Sequence, residues 1–346
     1  MKVISSLLLA ATLGAAATPH PAVIGSEWIN PDAPYPECHA STIVEAAPGR
    51  LVAAWFGGTK ERNPDVSIYV AQHDGTHWLP GVKVADGVQA DGSPRLPTWN
   101  PVLFAPKDAP LHLFYKIGPD PSSWWGMVTT SGDHGKTWSA PSRLPAGILG
   151  PIKNKPVILP DGTWLSPTST EGTGGWQVHF ERSNDGGKTW EKTPPLKKGP
   201  SFGAIQPSIL FHKDGQLQAL CRSQQGVVVQ TWSKDSGRTW SALTATALPN
   251  PNSGTDAITL ADGRQLIVYN HSGHRPEEAK GDRWPLDVAI SNNGLAWNRV
   301  VTLETDPCNA GYAYPAVIQT ADGKVHITYT HNRQKIKHVV IDPAKL

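Results

Sequence analysis

The chain has 346 residues, 39% of them hydrophobic, and a formal net charge of +2 from 31 basic and 29 acidic side chains. No block of like charge stands out, which argues against a nucleic-acid partner. With 33 Gly and 32 Pro against only two Met, the composition suits many short strands and tight turns and excludes a mainly long-helical chain.

The first segment reads as a leader. Lys2 is followed by the apolar run "VISSLLLAATLGAAA", and Ala15–Ala17 fit the small-residue rule for signal peptidase. The expectation is a signal peptide over residues 1–17, a single mature domain over 18–346, and export to the periplasm or beyond. No later run is long enough to cross a membrane as a helix. A β-like stretch, "AVIGSEWI" from Ala22, then stands alone before the first repeat.

The rest of the chain repeats itself. "SGDHGKTW" (Ser131 to Trp138) returns as "SNDGGKTW" (Ser183 to Trp190) and "SKDSGRTW" (Ser233 to Trp240). Weaker copies are "AQHDGTHW" ending at Trp78 and "SNNGLAW" ending at Trp297. Each copy follows a β-rich stretch, and pairs of apolar runs joined by Asp-Gly turns lie between them, as in "KPVILPDGTWLSPTS". A period near fifty residues built from strands signals a radial repeat. Six units can be counted, with first strands near His39, Pro101, Lys155, Gln206, Asp256 and Tyr314. The spare strand at Ala22 is expected to pair with the last unit and close the ring.

The motif itself is a turn. Its Asp accepts bonds from nearby backbone N–H groups, its Gly supplies the left-handed position, and its Trp covers the hairpin. Nothing in it needs a substrate, and His134 of the first copy does not recur in the other full copies.

The pattern S-x-D-x-G-x-x-W resembles the Asp box of the sialidase (neuraminidase) superfamily, and the six-unit layout spans nearly all of the mature chain. The resemblance implies an all-β, six-bladed β-propeller. It also implies a retaining glycosidase in which three Arg hold the sugar carboxylate, a Tyr paired with a Glu is the nucleophile, and an Asp is the acid/base. The chain departs from that set in two places. His39 stands where the first Arg opens the first strand, and Gln206 stands where the Glu partner of the Tyr would be, sixteen residues before Arg222. By the same resemblance Arg222 and Arg283 take the other two Arg positions. Tyr312 and Tyr314 are both candidate nucleophiles, Tyr312 fitting the family spacing slightly better, and Glu61 and Asp65 flank Arg62 in the loop that carries the acid/base.

Further residues are expected at the mouth of such a ring: Lys153, Asn154, Lys155, Glu171, Asn252, Ser253, Asp256, Asn270 and His271. His39, Lys153, Arg222, His271 and Arg283 together would make the mouth cationic and attract acidic sugars. His39 is also a candidate acid/base. Of three Cys, Cys221 reads as buried, while Cys38 and Cys308 precede the inner strands of the first and last units and are expected to form a disulfide. No Cys or His pair has zinc-site spacing, and no cofactor is expected. The functional expectation is an exo-acting hydrolase releasing a terminal acidic sugar from a glycan. Two alternatives stand beside it: a polysaccharide lyase with His39 or a Tyr as base, and a non-catalytic glycan-binding propeller.

Overall fold

Asp-Gly and related turns punctuate the chain into hairpins, and the hairpins assemble into six four-stranded antiparallel sheets. The computed structural model describes residues 20–196, 202–275 and 277–346. The leader expected over residues 1–17 lies outside these.

The chain enters on β1 (Val23–Trp28). The first blade is β2 (Glu37–Ala47), β3 (Arg50–Gly58), β4 (Ser67–Gln72) and β5 (Val82–Ala85). The second is β6 (Thr98–Phe104), β7 (Leu111–Ile117), β8 (Trp125–Ser131) and β9 (Ser142–Arg143). The third is β10 (Val157–Ile158), β11 (Trp164–Gly172), β12 (Gly175–Ser183) and β13 (Glu191–Lys192). The fourth is β14 (Ala204–Phe211), β15 (Leu217–Ser223), β16 (Val227–Ser233) and β17 (Thr244–Pro249). The fifth is β18 (Asp256–Thr259), β19 (Gln265–Asn270), β20 (Leu286–Ser291) and β21 (Asn298–Glu304). The sixth combines β22 (Tyr312–Gln319), β23 (Val325–His331) and β24 (Lys335–Ile341) with β1, which pairs antiparallel with β24 from Val23↔Ile341 to Trp28↔Lys337. This is the all-β, six-bladed propeller that the repeat implies, closed by the spare N-terminal strand.

The core is divided among the gaps between blades, because alternate residues of each strand face opposite neighbours. Val52, Phe56, Leu103 and Tyr115 fill the space between the first and second blades. Ile43, Trp55, Ala316 and Ile336 fill that between the sixth and the first, and Val268, Val288, Tyr312 and Tyr329 that between the fifth and the sixth. Trp55 is fully buried, and truncating such a side chain to Ala costs about 3–5 kcal/mol.

The repeated motif closes the link between the third and fourth strands of a blade. In the first full copy Asp133 Oδ1 accepts from the N–H groups of Lys136 and Thr137 at 3.0 and 2.9 Å, and from the Ser131 hydroxyl. The Thr137 hydroxyl donates to Oδ2, and Trp138 Nε1 donates to the Gly135 carbonyl at 3.2 Å. The copies around Asp185 and Asp235 repeat the arrangement. These bonds hold the Asp133 carboxyl well below the usual carboxylate range, the Thr137 hydroxyl contributing most.

The expected disulfide is absent. Cys38, Cys221 and Cys308 are all free thiols. Cys38 packs between the sixth and first blades and accepts from Asn30 Nδ2, whereas Cys308 packs on the side of the sixth blade that faces the fifth. The sheet of the sixth blade therefore stands between the two sulfurs, which neighbouring strand starts alone did not reveal.

Candidate active site

The site is made by four kinked inner strands. Ala40, Asn100, Gln206 and Tyr314 all have left-handed backbones (φ 57°, 37°, 57° and 53°). Each sits where the pairing register of β2, β6, β14 or β22 slips. A bulge of this kind bends a strand and re-aims its side chains, and it is a strained position for a residue other than Gly, at ~1–3 kcal/mol. Three of the four residues precede Pro101, Pro207 or Pro315, whose missing N–H suits a break in the ladder. The kinks bring Gln206 and Tyr314 together from blades four and six.

Tyr314 is the centre. Its phenol oxygen accepts from Gln206 Nε2 and from Arg222 Nη1, both at 3.0 Å. Arg222 lies at the end of β15 and is 9% exposed; its Nε donates to Asn252 Oδ1 at 2.8 Å, and its guanidinium lies 4.9 Å from the Trp176 ring. The guanidinium carbons of Arg222 and Arg283 each lie 6.0 Å from the Tyr314 ring centroid, and Lys153 Nζ lies 5.7 Å from it. Among the described residues neither Arg222 nor Arg283 forms an ion pair. Burial and the neighbouring Arg222 pull the Arg283 pKa below its ordinary value.

Lys153 is a buried prop beneath this ring. Its ammonium donates to Asn154 Oδ1, to the Thr255 carbonyl and to the Pro315 carbonyl next to Tyr314. Burial lowers its pKa to about 7, against the opposing pull of Asp256. Lys155 pairs with Asp256 at 2.8 Å, and Asp256 also accepts from Ser208 Oγ and Val317 N, tying blades four, five and six together. Gly254 fits against the same group: a Cβ there would stand 3.1–3.2 Å from Lys153, Gln206 and Tyr314.

His39 is 1% exposed, and its ring centroid is 4.2 Å from that of Tyr314. Nδ1 meets Thr330 Oγ1 at 3.0 Å, and Nε2 is buried without a partner. Burial, then the charges of Arg333, Arg283, Arg222 and Lys153, hold its pKa well below the ordinary value. It is therefore a neutral imidazole, and it adds no charge to an anion clamp.

A third guanidinium comes from elsewhere. Asn332 and Arg333 occupy the two left-handed positions (φ 49° and 61°) of the tight turn between β23 and β24, and Arg333 pairs with Glu61 of the neighbouring first blade. Glu171, at the end of β11, faces Arg222, Arg62 and Glu61; burial raises its pKa above the ordinary value, with Arg222 opposing. Arg62 lies 6.0 Å from the Trp99 ring at the rim.

The remaining expected residues lie apart. Tyr312 turns its hydroxyl to the Asp306 carbonyl at 2.8 Å and packs between blades five and six, because the register slip after Ala313 re-aims Tyr314 and leaves Tyr312 on the regular strand face. Asp65 accepts from the N–H and hydroxyl of Thr59 and so closes its own loop. His271 meets the Tyr269 hydroxyl at 2.5 Å, away from Tyr314. Sequence reasoning missed Arg333, Trp176 and Gly254. Among the described residues no group of three or more His, Cys, Asp or Glu could hold a metal ion, and no helix is long and apolar enough to cross a membrane.

The profile of the BNR repeat-like domain matches residues 49–327. The chain is 25% identical over 204 residues to a sialidase of Micromonospora viridifaciens, the match covering 49% of this chain and 31% of that protein. It is 23% identical over 239 residues to a sialidase of Bacteroides fragilis, covering 64% and 41%. It thus spans less than half the length of either relative. Among solved structures, a protein of unknown function from Dyadobacter fermentans matches with TM-score 0.76 at 18% identity, covering 93% of this chain and 99% of that one. Trypanosoma rangeli sialidase in complex with 2,3-difluorosialic acid, a covalent intermediate, matches with TM-score 0.69 at 17% identity, covering 90% and 54%. At these identities the structural likeness speaks for the fold.

Proposed function

The chain belongs to the BNR repeat-like domain family of sialidase-like propellers, and from that premise we propose that it is an exported glycoside hydrolase releasing a terminal acidic sugar from glycans. The observation that carries this reading is the convergence of Arg222 and Arg283, neither of them ion-paired among the described residues, on the Tyr314 ring. Guanidinium groups buried without a carboxylate are suited to meet one brought by a ligand. The leader pattern at residues 1–17 supports export.

In this reading Arg222 and Arg283 hold the sugar carboxylate, with Arg333 at its edge. The Tyr314 oxygen attacks the anomeric carbon, and the glycosidic oxygen leaves with a proton. Gln206 and Arg222 orient the nucleophile, and their N–H donors meet negative charge that builds on its oxygen. Gln206 takes no proton at neutral pH, so the phenol proton departs to water in the mouth. Glu171 is the proton donor of choice, because burial favours its neutral form. Glu61 is committed to Arg333 and stands as the alternative.

One observation favours a second reading. The neutral His39, with Nε2 unpartnered beside Tyr314, has the protonation state of a base for elimination next to a uronate. A screen of sialosides, other keto-deoxy sugars and glucuronate-capped glycans separates the two by product mass. Gain of water means hydrolysis, and cleavage without it means elimination. Binding without cleavage of any of them leaves a lectin-like propeller.

A further inference from the structure

The third blade sends one regular hairpin to the mouth. β11 and β12 pair without a register slip from Trp164↔Ser183 to Gly172↔Gly175, unlike the kinked inner strands. Glu171 and Trp176 are therefore direct cross-strand partners on one face of the sheet. That face looks toward the fourth blade. Ser169, two residues before Glu171, accepts from the Gln206 N–H at 3.2 Å, and a Cβ on Gly203 would stand 3.6 Å from Trp176 Cβ.

Trp176 links the two charges of the site. Its ring lies 4.9 Å from the Arg222 guanidinium, and its side chain also donates to the Glu171 carboxyl. The charged groups that face Glu171 are Arg222 from the fourth blade and Arg62 and Glu61 from the β3–β4 loop. Glu61 is paired with Arg333, and Arg62 stands at the rim against Trp99. Burial favours the neutral form of Glu171, and Arg222 opposes that more strongly than any other group. Among the described residues Arg222 has no ion-pair partner. A sugar carboxylate that forks onto Arg222 cancels this opposing cation and brings an anion close by. Both changes favour a proton on Glu171.

We propose that Glu171 senses the occupancy of the clamp: an acidic sugar seated on Arg222 is bound together with one proton, taken from solvent and held on Glu171. Trp176 is the positioning residue, because one ring fixes both the guanidinium and the carboxyl. The inference rests on the hydrolase reading in one respect, that this proton is the one then given to the glycosidic oxygen. A neutral sugar leaves Arg222 uncompensated and Glu171 ionised, so the donor is loaded only by the class of substrate it serves. Selectivity for an acidic sugar then enters the chemical step as well as binding.

The test is calorimetric titration of the full chain with N-acetylneuraminate and with glucuronate, in buffers of different ionisation enthalpy, which counts the protons taken up. The wild type should take up protons on binding, most strongly between the pH values at which the free and the occupied Glu171 titrate. By linkage its affinity falls as pH rises through that window. Glu171→Gln should take up none and bind equally well across the window. At the alkaline end it should bind roughly fivefold or more tighter than the wild type, because no second carboxylate meets the ligand. A merely structural Glu171 would give looser binding there. Trp176→Ala should weaken binding about tenfold, and Trp176→Phe should recover most of it through the ring. Binding without uptake, or uptake that persists in Glu171→Gln, overturns the sensor and leaves the hydrolase reading to the product masses. Failure of both acids to bind the wild type overturns the two together. Proton-linked binding without cleavage of any glycoside keeps the sensor and sinks the hydrolase.

Discussion

Gln206 Nε2 donates to the phenol oxygen of Tyr314 across 3.0 Å, and so joins the fourth blade to the sixth at the axis of the ring. Both residues stand on left-handed bulges, so each backbone is strained in order to make the meeting. Gln206→Ala removes one of two donors and should lower kcat by roughly ten- to a hundredfold, the equivalent of ~1–3 kcal/mol. Gln206→Glu places a base there. Its pH–rate profile should gain an acidic limb, with activity falling as pH drops through the new carboxyl's pKa. An unchanged profile and rate in both variants would show that residue 206 does not touch the chemistry.

Arg333 of the sixth blade holds Glu61 of the neighbouring first blade and adds a third guanidinium to the pair on Tyr314. Arg333→Met should raise KM for an anionic glycoside about tenfold with little change in kcat, because uniform binding is what it contributes. A fall in kcat at constant KM is the result that excludes this assignment.

Gly254→Ala adds a single methyl 3.1–3.2 Å from Lys153, Gln206 and Tyr314. These neighbours must retreat by a few tenths of an ångström, and misplacement of a nucleophile on that scale costs roughly tenfold or more in rate. The variant should unfold within a few degrees of the wild type while losing turnover. Full activity with normal melting would mean that the packing around Tyr314 is looser than these distances imply.

The Glu171 carboxyl is raised by burial. A proton donor works while protonated, so activity should fall as pH rises through that elevated pKa, giving an alkaline limb above the ordinary carboxylate range. Glu171→Gln should abolish the limb and most of the rate on substrates with poor leaving groups. A limb that persists in this variant points to another group, Lys153 near pH 7 being the first to test by Lys153→Met.

The turn motif should matter for stability alone. Asp133 is depressed by its hydrogen bonds, so its contribution is present above the unfolded carboxyl's pKa, ~4, and is lost as pH falls through the lower folded value. Asp133→Asn should lower the melting temperature at neutral pH and flatten its decline in acid, with kcat/KM unchanged. Loss of activity in a well-folded variant would contradict a purely structural role.

The propeller was readable because its signals are local and repeated. Asp-Gly turns, the Trp of each motif and the fifty-residue period fix blade count without any long-range knowledge. The site was only partly readable, because it depends on which way a bulge turns a side chain. Tyr312 and Tyr314 sit two residues apart and would face the same side of a regular strand. The register slip between Ala313 and Ala316 sends Tyr314 to the axis and leaves Tyr312 in the core. A signal was present: Asn100, Lys155, Gln206 and Tyr314 each precede Pro in a strand start. Arg333 carried no such mark, since a hairpin tip shows its reach only after the ring has closed.

That closure sets an order of assembly. Among the described residues β1 pairs with β24 alone, so it has no partner until the chain has been synthesised past Ile341. Blades one to five can form as they emerge, each from neighbours in sequence. The sixth must wait, and with it Tyr314 and Arg333, so that the site is completed in the same late step that pairs β1 with β24.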